Sequence, residues 1–129
     1  MRYILWGRKM GYEGNFVPKV HSYKWHKAGF YTAVVEKMER CSTVRTEKDQ
    51  VLLDLFHNAG RNDHARAAMN FLQPGCGDFA EKLFKACNDN RWGMDIHGGN
   101  FMVRKDGTWV ATDPVNLHGN PPTERIRAA

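Results

Sequence analysis

Asp95, His97, Asn100 and Asp113 fall within one short stretch, MDIHGGNFMVRKDGTWVATDPVN, from Met94 to Asn116. Two of them bring carboxylates, one an amide oxygen and one an imidazole. Hard oxygen donors of this kind suit Mg²⁺. A carboxylate within reach of a hydroxyl suits general-base work. The same residue types also build turns. Asp95 and Asn100 read as loop residues too, Asp113 as the start of a turn before Pro114, and His97 as a structural loop histidine.

Chemistry requires elements that bring these residues together. FMVR and TWVAT flank Lys105-Asp106-Gly107, and Asp-Gly is a strong hairpin turn. Pairing Phe101–Arg104 with Thr108–Ala111 would carry Asp113 back beside Asp95 and Asn100. Upstream, Tyr3 to Met10 fits a short helix ending before Gly11 and Gly14. Phe16 to Tyr23 reads as a strand, with Pro18 marking an edge or a start. Lys24 to Gly29 reads as a turn, and Phe30 to Met38 as a second, antiparallel strand. Thr46 or Ser42 could cap a helix reaching about Asn58, with Val51, Leu52, Leu55 and Phe56 as its apolar face. Asp63 to Leu72 reads as another, with Ala67, Ala68 and Phe71 inward. Asp78 reads as the cap of a third, carrying Phe79, Leu83, Phe84 and Cys87. The expectation is one α+β domain over residues 1–129, with short antiparallel hairpins and a helical subdomain.

Composition narrows the function classes. The chain has 129 residues, room for one modest core. No run of about 18 apolar residues is present, so no membrane span is expected. Residues 1–12 lack the apolar core and cleavage site of a signal peptide. Cys41, Cys76 and Cys87 form no CxxC pair, which fits reduced thiols and a cytoplasmic setting. The net charge is +5 with a pI near 9.3, which favours an acidic partner. The basic residues look scattered, so nucleic acid is the less favoured partner.

The interval from Asp95 to Asn100 matches the Asp-to-Asn interval of the kinase catalytic loop. DIHGGN resembles the D-[hydrophobic]-H-x-x-N loop of the aminoglycoside-phosphotransferase-like branch of the kinase superfamily. FMVRKDGTWVATDPV is similar to the hairpin leading to its metal-binding aspartate. The resemblance is nearest to the small serine/threonine-kinase-like proteins of T7-like bacteriophages, where DP stands for DFG. It covers residues 16–115. FVPKVHSY and FYTAVVEKMER resemble the fourth and fifth strands and the hinge. The resemblance implies a kinase-like fold, with Asp95 as catalytic base and His97 supporting the loop and the transferred phosphoryl group. It implies Asn100 and Asp113 as Mg²⁺ ligands. Glu36 to Arg40 would be the hinge, Glu36 and Met38 presenting backbone groups to the adenine of ATP. On charge alone, Glu36 and Glu39 read as solvated.

The pattern also departs from a kinase. No G-x-G-x-x-G is present, and YILWGRKMGYEGN offers no obvious glutamate for the helix that orients the catalytic lysine. Gly93 and Met94 stand where a histidine usually precedes the aspartate. The expectation is a kinase-like domain truncated at both ends, with a loose tail over 116–129. Three functions follow. The first is a pseudokinase of a bacteriophage that binds a host or viral protein with an acidic surface, in the host cytoplasm. The second is a minimal serine/threonine phosphotransferase using Mg²⁺ and ATP, completed by a dimer mate or partner. The third is a basic nucleic-acid-binding module. If the protein is not a phosphotransferase, no cofactor is expected. A sheet that has lost neighbouring strands would expose an edge, leaving room for a homodimer.

Overall fold

The computed structural model describes residues 2–40, 47–116 and 124–128, with the backbone only at Tyr31, Glu39, Arg40 and 124–128. Helix α1 spans Arg2–Met10, followed by strands β1 (Val20–His26), β2 (Phe30–Val35) and β3 (Glu39–Arg40). Helices α2 (Glu47–Phe56), α3 (Asp63–Leu72) and α4 (Cys76–Asn90) come next. Strand β4 (Gly93–Met94), a 3₁₀ turn (Gly98–Asn100), β5 (Phe101–Val103), β6 (Trp109–Ala111), β7 (Val115–Asn116) and β8 (Glu124–Ala128) complete the order. The class is α+β, with the strands in three small sheets, β1-β2-β8, β3-β5-β6 and β4-β7.

Aromatic packing joins the helices to the β5–β6 hairpin. Phe56 of α2 lies 5.6 Å from Phe101 and 5.8 Å from Trp109, ring centre to ring centre. Phe101 and Trp109 stack at 4.4 Å and 8°. On the far side Phe79 stacks on Phe16 at 5.2 Å and meets Tyr12 edge-on at 5.1 Å. Phe16, Phe56, Phe79, Phe101 and Trp109 are all within the core. Each such pair contributes about 0.5–1.5 kcal/mol beyond the area it buries. Polar bonds pin the hairpin from two sides. The Tyr3 hydroxyl donates to the Ala111 carbonyl at 2.6 Å. The buried Gln73 amide exchanges two 2.9 Å bonds with the Trp109 backbone, donating to its C=O and accepting from its N–H. A side chain therefore completes the β6 ladder where no strand pairs with that residue's outer edge, which leaves no backbone group there wanting.

Several local expectations change. The first strand begins at Val20, because Phe16 lies in the turn at Gly14–Phe16, where its carbonyl accepts from Ala111 N–H at 2.9 Å. It then runs through Lys24–His26, so the turn shrinks to the residues before Phe30, with Gly29 at φ 92°. The second strand ends at Val35 rather than Met38. In α3 the buried residues are Ala65 and Met69, while Phe71 is 88% exposed. The buried stripe lies more than a third of a turn from the face of Ala67, Ala68 and Phe71. Helix α4 starts two residues before Asp78, at Cys76, with Gly75 as its N-cap in the left-handed region at φ 84°. Its exposed amides are satisfied from another helix: Asn70 Oδ1 accepts from Gly77 N–H at 2.8 Å and Asp78 N–H at 3.3 Å. Asp78 is a first-turn acid, not the cap. Ser42 and Thr46 lie outside the described residues. Within the stretch read as a loose tail, Asn116 belongs to β7, and Glu124–Ala128 runs parallel to β2 with Ala33 opposite Ile126. Among the described residues no helix is long and apolar enough to cross a membrane. Cys76 and Cys87 are free and buried, and Cys41 lies outside the described residues.

Candidate functional site

The backbone locks the two halves of the stretch together. Strand β4 pairs antiparallel with β7, Gly93 opposite Asn116 and Met94 opposite Val115. Asp95 N–H then donates to the Pro114 carbonyl at 2.8 Å. His97 caps the 3₁₀ turn, with its Nδ1 accepting from Gly99 N–H at 3.2 Å. The Asn100 carbonyl accepts from Thr112 N–H at 2.9 Å, Asp113 N–H at 3.2 Å and Thr112 Oγ1 at 2.8 Å. Strands β5 and β6 pair as expected, Phe101 opposite Ala111 and Val103 opposite Trp109. The hairpin thus returns Asp113 to the loop that holds Asp95 and Asn100.

The side chains converge on that loop. Asn100 Nδ2 donates to the Asp95 carbonyl at 2.8 Å and lies 3.0 Å from His97 Nε2. This fixes the amide through its Nδ2, and no hydrogen bond to its Oδ1 is formed among the described residues. His97 Nε2 sits 3.4 Å from Asp95 Oδ1, both side chains more than half exposed. A neutral imidazole has one lone pair, so it can serve Gly99 through Nδ1 or Asn100 through Nε2, not both. The first choice leaves Nε2–H facing Asp95 Oδ1 as a donor.

Asp113 carries the electrostatic signature. The surrounding protein first, and the Asp95 carboxylate second, push its carboxyl above the ordinary value, with His97 acting the other way. Among the described residues no Lys or Arg pairs with either carboxylate. The Asp113 carboxylate and the Asn100 amide oxygen, the expected ligands, are hard donors of the type that suits Mg²⁺, and Asp95 lies in the same loop cluster. No three His, Cys, Asp or Glu side chains form a ready-made metal cluster among the described residues.

A raised folded-state pKa stabilises the fold below the unfolded value, and that contribution is lost as pH rises through the folded one. Ionised Asp113 therefore costs stability at neutral pH. Asp113→Asn should raise the melting temperature at pH 7 by about 2 °C, solvent screening keeping the gain small. The gain should vanish below about pH 4, where both forms are neutral. Melting curves at the two pH values check this, and a loss of stability at pH 7 would show that the charge is not repelled.

The expected hinge is built differently from a solvated loop. Arg104 Nη2 meets Glu36 Oε1 at 2.6 Å, and Arg104 Nε reaches both Glu36 oxygens at 3.0 Å. Arg104 Nη1 also donates to the Asn15 carbonyl at 2.6 Å. Glu36 further accepts from Lys19 N–H at 3.1 Å, and its own N–H donates to the Lys19 carbonyl at 2.9 Å. Reading Glu36 as a solvated charge was therefore wrong, because both partners are less than one-fifth exposed. Met38 follows in the short link from β2 to β3, and β3 pairs with β5, Glu39 opposite Val103 and Arg40 opposite Met102. The sheet that carries Asn100 into β5 is thus the one this link joins.

Sequence reasoning missed Thr112, Gln73 and Arg104. Gln73 and Arg104 act through contacts far along the chain, and Thr112 reaches Asn100 across the hairpin, 12 residues away. Comparison with protein families, curated proteins and solved structures found no match to this chain.

Proposed function

We propose that the protein is a kinase-like pseudokinase of bacteriophage type that acts by contact with a host or viral protein. One observation supports it above the others. The Asp95–His97–Asn100–Asp113 cluster has the acidic half of a phosphotransfer site, while no Lys or Arg side chain pairs with those carboxylates among the described residues. Phosphoryl transfer depends on positioning and on neutralising the phosphate oxygens. An acidic half alone supplies the base and the metal ligands, and leaves the transferred group unclamped. Asn100 and Asp113 would hold Mg²⁺, which when bound would offset the phosphate charge. Asp95 would accept the proton of an attacking hydroxyl. The link at Glu36 and Met38 would meet the adenine of ATP, as in the hinge it resembles. The net charge of +5 favours a partner with an acidic surface.

The return of Asp113 to the loop of Asp95, with no Lys or Arg paired to either carboxylate among the described residues, favours a second reading. A site short of positive charge is one that a partner's Lys or Arg can complete, giving a serine/threonine phosphotransferase assembled in trans.

Asp95→Asn separates the two. It keeps size and most hydrogen bonding while removing the base. The contact reading expects the biological effect to persist and Mg²⁺-ATP to bind only weakly by calorimetry. A phosphotransferase would lose about 10²–10⁴-fold in rate. Micromolar ATP affinity that disappears in Asp113→Ala, together with loss of effect in Asp95→Asn, would replace the first reading with the second.

A further inference from the structure

Strand β1 is the outer edge of the β1-β2-β8 sheet, with no strand on its other side among the described residues. Six of its seven residues, His21 to His26, are exposed or half-buried, so both of its faces are open. Register with β2 is regular from Ser22 to His26, Tyr23 facing Ala33 and Lys24 facing Thr32. Alternation then sorts the side chains. Tyr23 and Trp25, 54% and 60% exposed, share one face. Ser22, Lys24 and His26 share the other. The charge around them is one-sided. From Gly14 to Val35 the sequence has no Asp or Glu, and it has Lys19, Lys24 and Lys27 with His21 and His26.

We propose that β1 is the docking edge for an extended segment of a partner protein in which acidic and apolar residues alternate. The segment adds to the sheet as a further strand. Main-chain hydrogen bonds to the open edge give affinity, and the alternating side chains give specificity. On one face its apolar residues cover Tyr23 and Trp25, residue types that anchor interfaces. On the other its carboxylates meet Lys24 and His26. This rests on the contact reading above and names its surface.

The division between faces decides against two other occupants. A single-stranded nucleic acid lies across one face and needs cations beside the stacking rings. Here Lys24 points to the opposite face from Tyr23 and Trp25. A second copy of the chain would set Lys24 and the histidines of one β1 against those of another, and like charges placed opposite are destabilising.

The test uses the whole chain and a synthetic octapeptide alternating Val and Glu, blocked at both ends. Controls are a peptide of the same composition with four Glu followed by four Val, an alternating Val-Lys octapeptide, and oligothymidylate. The alternating Val-Glu peptide should bind, and protect alternate β1 amides from hydrogen exchange. Lys24→Glu and Trp25→Ser, both at exposed positions, should each weaken it about tenfold or more. Binding should also weaken as salt shortens the reach of the charges to about 3 Å near 1 M. Equal binding of the block peptide or the Val-Lys peptide would overturn strand addition. So would oligothymidylate binding in place of the peptide, or self-association through β1 that Trp25→Ser abolishes. Asp95→Asn is titrated in parallel and should bind the peptide unchanged. Loss of biological effect in that variant would sink the contact reading, whereas peptide failure alone would sink this surface.

Discussion

Arg104→Glu should cost about 3–5 kcal/mol of unfolding free energy, enough to leave a marginal domain largely unfolded. The guanidinium makes a forked contact with Glu36 at 2.6–3.0 Å and a further bond to the Asn15 carbonyl. It therefore ties the β5–β6 hairpin to the residue just past β2 and to the loop before β1. The substitution removes all four contacts and sets a second carboxylate against Glu36. Burial alone would raise the Glu36 carboxyl, but the Arg104 bond, the Lys19 amide and the Arg104 charge together hold it below its ordinary value. A depressed carboxylate contributes stability above its unfolded pKa and loses it as pH falls through the folded one. The difference between wild type and Arg104→Leu should therefore narrow below about pH 4. Denaturant titration at pH 7 and pH 3 measures both effects. A cost below about 1 kcal/mol at pH 7 would mean that the pair behaves as an exposed one. Arg104 is consequently unsuitable as a probe of the basic surface. Lys105 is exposed and remains usable.

What could be read in advance followed local rules. Asp-Gly between two β-rich runs predicted the β5–β6 hairpin, and the hairpin forced Asp113 back to Asp95 and Asn100. Helix α3 was bounded correctly because Asn62 caps it within the same few residues, Oδ1 accepting from His64 and Ala65 N–H. What was missed depended on partners distant in sequence. Arg104 and Glu36 are 68 residues apart, and Gln73 and Trp109 are 36 apart. The α4 cap differs for another reason: an aspartate stands near the right place, while the first-turn amides are satisfied by Asn70, seven and eight residues earlier on α3. The aromatic-basic alternation of β1 was present in the sequence. It went unread because the strand was ended at Tyr23, which split Tyr23 from Trp25 and Lys24.

Gly77→Ala should lower the melting temperature by about 10 °C, through a cost of about 2–3 kcal/mol. Gly77 lies in the first turn of α4, where α3 crosses closest. A β-carbon there would overlap the Arg66 carbonyl oxygen and approach the Arg66 carbonyl carbon and Cα at 2.8 and 2.9 Å. These are backbone atoms of a helix and cannot rotate away. Arg66 is held further by ion pairs with Asp63 and Glu81 and by a 2.7 Å bond to the Ala59 carbonyl. Alanine gains about 1 kcal/mol of helix propensity over glycine, which the clash outweighs. The only relief is to move α4 as a body. That helix leads through Arg91, in the left-handed region at φ 56°, straight into β4 and Asp95. A displacement at Gly77 should therefore also reach the loop cluster, seen as shifts in the amide resonances of Asp95 and Asn100. Gly98→Ala is the matched control within that cluster, because a β-carbon there meets nothing within 4 Å. It should leave the melting temperature unchanged within about 2 °C. Equal tolerance of alanine at Gly77 and Gly98 would show that α3 and α4 do not cross as closely as their backbones are placed.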